Sequence, residues 1–273
     1  GLGCIYILEN TQTNERCSVK TIAKKVDGSD VIPTVINLWK VADLLEREVF
    51  DFVGIKFLGH PDMRRLFLRT DFQGYPLRKD FDMSPDANKF PCTDEPEDDF
   101  TMEYSLSEDG HLVATEKRRF DEDEYVVNIG PNHPSTHGVL RLQTVIDGET
   151  VKRIYPHLGY IHRGIEKMWE NMTYPQTLAL TDRLNYLSAM MHRHALVGVI
   201  EEAMGIELSD RIRYIRTIMD ELQRIDSHLL YLGCTAQDLG ALTAFLYCMR
   251  DREHVLNVME ETTGGRLIQN YYR

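Results

Sequence analysis

The chain has 273 residues, of which 31 are Lys or Arg and 43 are Asp or Glu, so its formal net charge is −12. Its length allows one large domain or two ordinary ones, and its composition, 42% hydrophobic and 27% charged, is typical of a soluble globular protein. Because binding to duplex nucleic acid requires clustered Lys and Arg, the excess of acidic residues disfavours a nucleic-acid-binding protein.

The five cysteines are odd in number and far apart, and no two of them form a C-x-x-C pair. This pattern disfavours a disulfide scaffold, a zinc ribbon and an iron–sulfur cluster ligated by this chain, so no metal ligands are predicted and a reducing compartment fits best. No apolar run approaches the roughly 20 residues that cross a bilayer, and neither a transmembrane helix nor a signal peptide is expected. The chain starts within a strand pattern without Met and stops directly after a helical pattern, so both ends are expected to come from a longer protein.

Residues 1–80 are predicted to form a small α/β domain. Short apolar runs at 4–8 and 31–32 indicate strands. Between 34 and 51 apolar residues recur at roughly helical spacing, and Pro33 stands where a first helical turn tolerates proline. A helix is therefore predicted over 34–51.

Residues 81–124 differ in composition from both flanking regions. They hold 15 Asp or Glu against 4 Lys or Arg, a segment charge of −11. With so few apolar residues, this segment is expected to bury too little surface to offset the entropy of ordering. It is predicted to be an acidic linker with a short strand at 111–115.

Residues 125–273 are predicted to form a β meander followed by a helical bundle. Alternating or β-branched apolar runs predict three strands, at 125–129, 140–146 and 151–155. Apolar residues at three- and four-residue steps predict helices, with Ser209 as an N-cap, near 175–205, 209–233 and 240–263. The fold class of the whole chain is therefore predicted to be α+β.

Two short segments concentrate side chains that are able to carry chemistry. The loop 133–138 places His133, His137 and two hydroxyls on a turn between strands, and the segment 160–167 holds the pair His162-Arg163 before a helix. A histidine in such a loop is about as often a structural residue with satisfied hydrogen bonds, so both interpretations stay open.

Polar residues also interrupt the apolar helices. Asp182, Arg183 and Tyr186 lie close together on one helix, and Asp238 follows the long helix before Gly240. A Tyr and a His are able to hydrogen-bond two separate carbonyl oxygens, and an Asp is able to hold an imidazole in one tautomer. The alternative is that Asp182 and Arg183 form a surface ion pair and that Asp238 caps the next helix.

Two long sets of motifs resemble a known family. Three segments resemble the C subunit of respiratory complex I: EREVFDFVGI (46–55), GHPDMRRL (59–66) and GYPLRKD (74–80). Two further segments resemble the D subunit of the same enzyme: GPNHPSTHGVLR (130–141) and PHLGYIHRGIEK (156–167). Their order is that of fused C/D subunits, and the resemblance implies a fragment without the start of C and the end of D.

This resemblance implies a peripheral-arm subunit of a proton-pumping NADH:quinone oxidoreductase that forms the quinone headgroup pocket. In the family, the second His of the loop and the Tyr of the Asp-Arg-Leu-x-Tyr helix hydrogen-bond the quinone, and the Asp after the long helix pairs with that His. The implied catalytic residues are therefore His137, Tyr186 and Asp238. His133 and Arg183 are implied to line the same quinone site.

The resemblance also implies partners and a location. His162 and Arg163 are implied to lie beside the terminal 4Fe–4S cluster, which a partner subunit holds and this chain does not ligate, while quinone is the substrate. The implied partners are the other peripheral-arm subunits, including the cluster subunit, and a membrane-arm subunit at the quinone channel. The implied location is the cytoplasmic face of the bacterial inner membrane, as a peripheral protein whose isolated fragment is inactive. Ile268 stands where many relatives carry a His near the cluster, which puts a pH-dependent cluster potential in doubt.

Two alternatives stay open. The D subunit is similar in fold to the large subunit of nickel–iron hydrogenases, which hold their metals with two C-x-x-C pairs, so one alternative is a membrane-bound hydrogenase or ferredoxin-linked complex. The matching loop 162–164 has no cysteine, and the second pair would fall beyond residue 273. The other alternative is a scaffold that docks the cluster subunit and binds no ligand. The electron donor, NADH or ferredoxin, and the quinone, ubiquinone or menaquinone, stay undetermined.

Overall fold

The computed structural model describes residues 1–84, 100–121, 124–133 and 138–272. The chain divides into two compact units, Gly1–Gly164 and Ile165–Arg273. The first unit is rich in β-strands and the second is helical, which confirms the predicted α+β class. Among the helices of the described ranges, none is long and apolar enough to cross a bilayer.

The first unit contains a hairpin and a five-stranded sheet. The hairpin pairs β1 (Gly3–Glu9) with β2 (Arg16–Ile22). In the sheet the spatial order equals the chain order, from β3 (Lys24–Val26) through β4 (Ser29–Pro33), β5 (Ile55–Leu58) and β6 (Phe100–Leu106) to β7 (Leu112–Arg118). The helix α1 (Ala42–Val53) connects the parallel strands β4 and β5. The core of this unit is formed by buried apolar side chains of the sheet, of α1 and of the following loop: Ile32, Phe50, Ile55, Phe57 and Met63.

The helix α1 begins eight residues later than the sequence predicts, at Ala42 rather than at residue 34. The Glu46 carboxylate, which is 2% exposed, explains the difference. It accepts hydrogen bonds from the Thr34 hydroxyl at 2.5 Å and from the Val35 amide at 2.8 Å. These contacts hold the residues before α1 in turns, because they supply backbone and side-chain donors with a partner outside a helix. The helix ends at Val53 and is capped by Gly54, whose φ of +82° is a left-handed conformation that glycine adopts without strain.

Within the segment predicted as a linker, residues 100–118 form β6 and β7 of the sheet, and β7 includes most of the short strand predicted at 111–115. Tyr104 of β6 packs against the Phe50 ring at 6.2 Å, and the Lys56 ammonium lies 4.6 Å from the centre of the Tyr104 ring. A strand near the edge of a sheet needs only one apolar face, so an acidic composition is compatible with sheet formation. Residues 85–99 and 122–123 of this segment lie outside the described residues.

A second, three-stranded sheet of the first unit is the predicted meander. It consists of β8 (Tyr125–Ile129), β11 (Arg141–Asp147) and β12 (Thr150–His157), with β11 in the middle. Between β8 and β11 lies a two-residue ladder of β9 (Asn132–His133) and β10 (Gly138–Val139). This sheet belongs to the first compact unit, whereas the sequence predicts it in one domain with the helices. The predicted domain boundaries at 1–80, 81–124 and 125–273 stay predictions.

The second unit consists of helices around an apolar core. They are α2 (Ile165–Trp169), α3 (Tyr174–Thr181), α4 (Ala189–Met204), α5 (Asp210–Asp238) and α6 (Leu242–Thr263). The core contains mainly long, flexible side chains: Met190, Val197, Met219, Met259 and Tyr272. Ser209 occupies the predicted N-cap position of α5, although its side chain makes no capping hydrogen bond.

The helix predicted over 175–205 is interrupted. It consists of α3, a short 3-10 turn at Tyr186–Ser188, and α4. The side chain of Asn185 accepts a hydrogen bond from the Leu187 amide at 3.2 Å and thereby starts the 3-10 turn. We call residues 186–188 the Tyr186 turn. Asn is well suited to this position because its short amide competes with helical hydrogen bonds.

Buried charges of α1 hold the loop that follows β5. The Asp51 carboxylate is 0% exposed, and its Oδ1 accepts a hydrogen bond from Arg65 Nη1 at 2.8 Å. Its Oδ2 accepts from three consecutive amides, at 3.1, 2.7 and 2.9 Å, those of Leu66, Phe67 and Leu68. The segments that resemble the C subunit therefore form a loop in which one carboxylate, that of Asp51, accepts from three backbone amides. The role of Asp51 in this loop is structural.

The lowered pKa of Asp62 in this loop predicts that the folded chain loses stability in acid. Burial raises the pKa of its carboxyl, but the hydrogen bonds and charge of Arg64, together with the charges of Arg47 and Arg119, lower the pKa below its ordinary value. Arg64 Nε and Nη2 donate to the two Asp62 oxygens at 2.7 and 2.6 Å. A carboxyl with a lowered pKa in the folded state contributes stability that is present above its unfolded pKa of about 4 and is lost as the pH falls through the folded pKa.

We therefore expect Asp62→Asn to lower the free energy of unfolding at pH 7. The difference from the unsubstituted chain should shrink as the pH falls below about 4, because the native carboxyl then also becomes neutral. Urea unfolding at a series of pH values measures this. An equal difference at every pH would show that Asp62 acts through packing and not through its charge.

Candidate functional site

The residues implied to form the site are divided between the two units. His133, His162 and Arg163 belong to the first unit, and Arg183, Tyr186 and Asp238 belong to the second. His137 lies in 134–137, outside the described residues. Its pairing with Asp238 and its contact with a quinone therefore stay predictions.

His162 is held by two aromatic rings. Its imidazole stacks on Phe52 of α1, with ring centres 5.0 Å apart and planes 23° apart, and lies 5.6 Å from the Phe67 ring. Its Nδ1 accepts a hydrogen bond from the Gly164 amide at 3.3 Å. His162 is therefore fixed in position and half-buried, and the neighbouring Arg163 is exposed.

The turn that carries His162 lies directly against the loop held by Asp51. A Cβ atom on Gly159, whose φ is +97°, would come within 2.1 Å of the Phe67 carbonyl oxygen. Only glycine fits this close approach of two backbones. The glycine and the ring stack together determine where His162 and Arg163 stand in the first unit.

His133 lies on the two-residue strand β9, where it is exposed and pairs with Gly138 of β10. This short ladder pairs the described residues on either side of 134–137. Functional side chains often stand next to short paired strands of this kind.

Asp182 and Arg183 form the ion pair that the sequence allows as an alternative, but only the arginine lies at the surface. The Asp182 side chain is 0% exposed, whereas the Arg183 side chain is 49% exposed. Arg183 Nη1 lies 3.3 Å from Asp182 Oδ1 and donates to the Ala179 carbonyl at 3.1 Å. The arginine is therefore anchored at the end of α3 while part of its guanidinium reaches solvent.

Tyr186 is 55% exposed and stands at the start of the Tyr186 turn. The carbonyl of the next residue, Leu187, accepts a hydrogen bond from Gln223 Nε2 at 3.1 Å. Gln223 is 1% exposed and was not singled out from the sequence. In the sequence, Gln223 is only a polar residue next to the apolar stripe of α5. Such residues are common in amphipathic helices, so nothing there distinguishes it.

Asp238 is the last residue of α5 and is exposed. The alternative that it caps α6 is not supported, because Ala241 occupies the N-cap position of that helix. Gly240, with φ of +85°, makes the turn between the two helices. Asp238 is thus placed at the end of a long helix, where its carboxylate is accessible.

Metal ligation by this chain has no support within the described ranges. There, no three His, Cys, Asp or Glu side chains come together in a way that could hold a metal ion. The cysteines of those ranges are free thiols: Cys4, Cys17, Cys234 and Cys248. An iron–sulfur cluster requires several convergent thiolates, so the described part of the chain does not fit one.

The comparisons with known proteins all indicate the same family. The profile "Respiratory-chain NADH dehydrogenase, 30 Kd subunit" matches residues 1–87, and the profile of the 49 Kd subunit matches residues 238–273. The C/D subunit of NADH-quinone oxidoreductase from Phocaeicola vulgatus is 57% identical over 271 residues, which are 99% of this chain and 52% of that protein. The C/D subunit of Bacteroides thetaiotaomicron is 58% identical over 99% of the chain and 51% of that protein. A C/D subunit of Aquifex aeolicus is 42% identical over 98% of the chain and 47% of that protein.

The chain thus spans about half the length of the curated relatives it matches. The two profiles match in the order expected from the two sets of motifs. With this identity along nearly all of its residues, the chain belongs to the family of C/D subunits of NADH-quinone oxidoreductase.

Proposed function

We propose that the chain is a peripheral-arm subunit of a proton-pumping NADH:quinone oxidoreductase and that it supplies residues of the quinone headgroup pocket. The observation that carries this proposal is the 57% identity to a C/D subunit of NADH-quinone oxidoreductase along 99% of the chain. Its partners are the other peripheral-arm subunits, including the one that holds the terminal 4Fe–4S cluster, and a membrane-arm subunit. The location that follows is the cytoplasmic face of the bacterial inner membrane.

The residues of the chain suit the chemistry of quinone reduction. Two-electron reduction builds negative charge on two carbonyl oxygens, and hydrogen-bond donors at those oxygens stabilise the charge before proton transfer. Tyr186 and His137 supply these donors. Asp238 holds the imidazole in one tautomer and restores its proton, and His133 and Arg183 line the headgroup.

The electrons come from the cluster of the partner subunit. Toward that cluster this chain contributes the stacked His162 and the exposed Arg163, whose positive charge stabilises added electrons on a nearby group. Ile268 has no proton to exchange at the position where many members of the family carry a His, so we expect no cluster potential that depends on protonation at this position.

Photolabelling of the complete enzyme tests the proposal. The full-length protein is purified with its natural partner subunits, incubated with a short-chain azidoquinone, irradiated and digested. We expect labelled peptides from 133–141 or 183–190, loss of that label with excess decylubiquinone or a short-chain menaquinone, and co-purification of the cluster subunit. Label on other subunits only would contradict the proposal and favour a scaffold.

A further inference from the structure

A group of buried polar side chains lies between α5 and α6, directly behind the Tyr186 turn. Gln223 and Asp226 of α5 are each 1% exposed. Arg252 of α6 donates from Nη2 to Asp226 Oδ2 at 3.1 Å, and its Nε lies 3.0 Å from Asp226 Oδ1. Gln223 Nε2 lies 3.3 Å from the same Oδ2 and 3.1 Å from the Leu187 carbonyl oxygen. The contacts run from Arg252 through Asp226 and Gln223 to the backbone of the Tyr186 turn.

This arrangement is costly for stability alone. Burial raises the pKa of the Asp226 carboxyl in spite of the opposing charge and hydrogen bond of Arg252, so the ionised carboxylate is disfavoured at this position. A buried ion pair can be replaced by apolar side chains of similar volume with little loss, or with a gain, of stability. We therefore expect Gln223, Asp226 and Arg252 to do more than hold the two helices together.

The Tyr186 turn depends on this group for its position. The turn has three residues, and the Tyr186 ring itself is 55% exposed, so packing of the ring restrains it little. Three side chains bond its backbone: Asn185 from the N-terminal side, His192 of the directly following α4, whose ring nitrogen lies 3.0 Å from the Ser188 carbonyl oxygen, and Gln223 of α5. Of these three, Gln223 connects the turn to a helix that is distant along the chain, and its amide is in turn held by the Asp226 carboxylate.

We propose that Gln223 is a positioning residue, held by Asp226 and Arg252, that sets the orientation of Tyr186 for quinone reduction. The inference rests on the proposed function of Tyr186. A small displacement of a proton donor lowers the rate strongly, because the reacting atoms must be aligned within a fraction of an ångström. Gln223 itself touches no substrate in this scheme and acts through the Leu187 carbonyl.

The test is a double-mutant cycle in the assembled enzyme with the full-length chain. Gln223→Met keeps the length of the side chain but cannot donate to the Leu187 carbonyl. We expect it to lower kcat/KM for decylubiquinone about tenfold, while NADH:ferricyanide activity, which bypasses the quinone, stays unchanged. In a Tyr186→Phe background, the same change should lower quinone reduction no further.

Further variants keep the outcome interpretable. Gln223→Asn keeps the amide group but shortens the side chain by one methylene, so it should also lower kcat/KM. This variant serves as the test if Gln223→Met fails to assemble. Glu221→Gln is the control, because Glu221 is exposed and pairs only locally, with Arg224 at 3.0 Å. Additive losses in the double variant, or wild-type kcat/KM in Gln223→Met, would overturn the positioning role. Wild-type turnover in Tyr186→Phe alone would overturn the proposed function of Tyr186 and this inference with it.

Discussion

In the assembled oxidoreductase, Tyr186→Phe is expected to lower the turnover of quinone reduction by NADH about a hundredfold, because the hydroxyl proposed as hydrogen-bond donor and proton source for the reduced quinone is lost. The substitution keeps the ring and removes only the hydroxyl. Since the Tyr186 side chain is 55% exposed, we expect little change in folding or assembly. The loss should appear mainly in kcat, because the charge on the quinone oxygen develops during the reaction.

Steady-state kinetics with decylubiquinone and with a short-chain menaquinone measures this effect. Tyr231→Phe is a matched control, because Tyr231 lies on α5 of the same unit and is 69% exposed. NADH:ferricyanide activity reports on assembly and electron entry in both variants. Unchanged kcat and KM for both quinones in Tyr186→Phe would remove Tyr186 from the proposed site.

Asp51→Asn is expected to lower the free energy of unfolding of the first unit by about 3 kcal/mol, because it leaves a largely buried guanidinium without its carboxylate. Asp51 accepts four hydrogen bonds, three of them from consecutive backbone amides. An amide side chain has one acceptor oxygen, so it cannot satisfy the three amides and Arg65 together. The loop 65–68, on which the His162 turn lies, should then open more often.

Hydrogen exchange measures this change at the relevant amides, because it reports the opening of this loop residue by residue, separately from the unfolding of the rest of the chain. Exchange of the Leu66, Phe67 and Leu68 amides should become much faster in Asp51→Asn. Asp71→Asn is the control, since Asp71 pairs with Arg69 on the same loop at 2.9 Å but is partly exposed. Equal protection of the three amides in both variants would show that Asp51 is not the residue that closes the loop.

Part of the fold follows from local patterns. The three- and four-residue apolar steps of α5 and α6 predict those helices, because one helix face packs on a core whatever lies elsewhere. The β-branched runs of β8, β11 and β12 predict the meander for a similar reason. The helix start at Ala42 was missed because it depends on Glu46 reaching back to Thr34. The strand β6 was missed, and β7 was predicted only in part, as a short strand at 111–115, because pairing partners and not composition make a strand.

The candidate site shows the same division. Motif order and residue types were sufficient to place the chain in its family, because each short motif is recognised by its own residues. The same motifs nominate His162, Arg183, Tyr186 and Asp238 as site residues, and these stay predictions. The burial of Asp182, the ring stack on His162 and the bond from Gln223 to Leu187 became visible only in the folded chain. Gln223 and Leu187 are 36 residues apart, and no local periodicity reports which side chains meet across such a distance. Such contacts arise from the packing of helices against each other, which brings distant polar groups within hydrogen-bond range after apolar burial has set the helix positions.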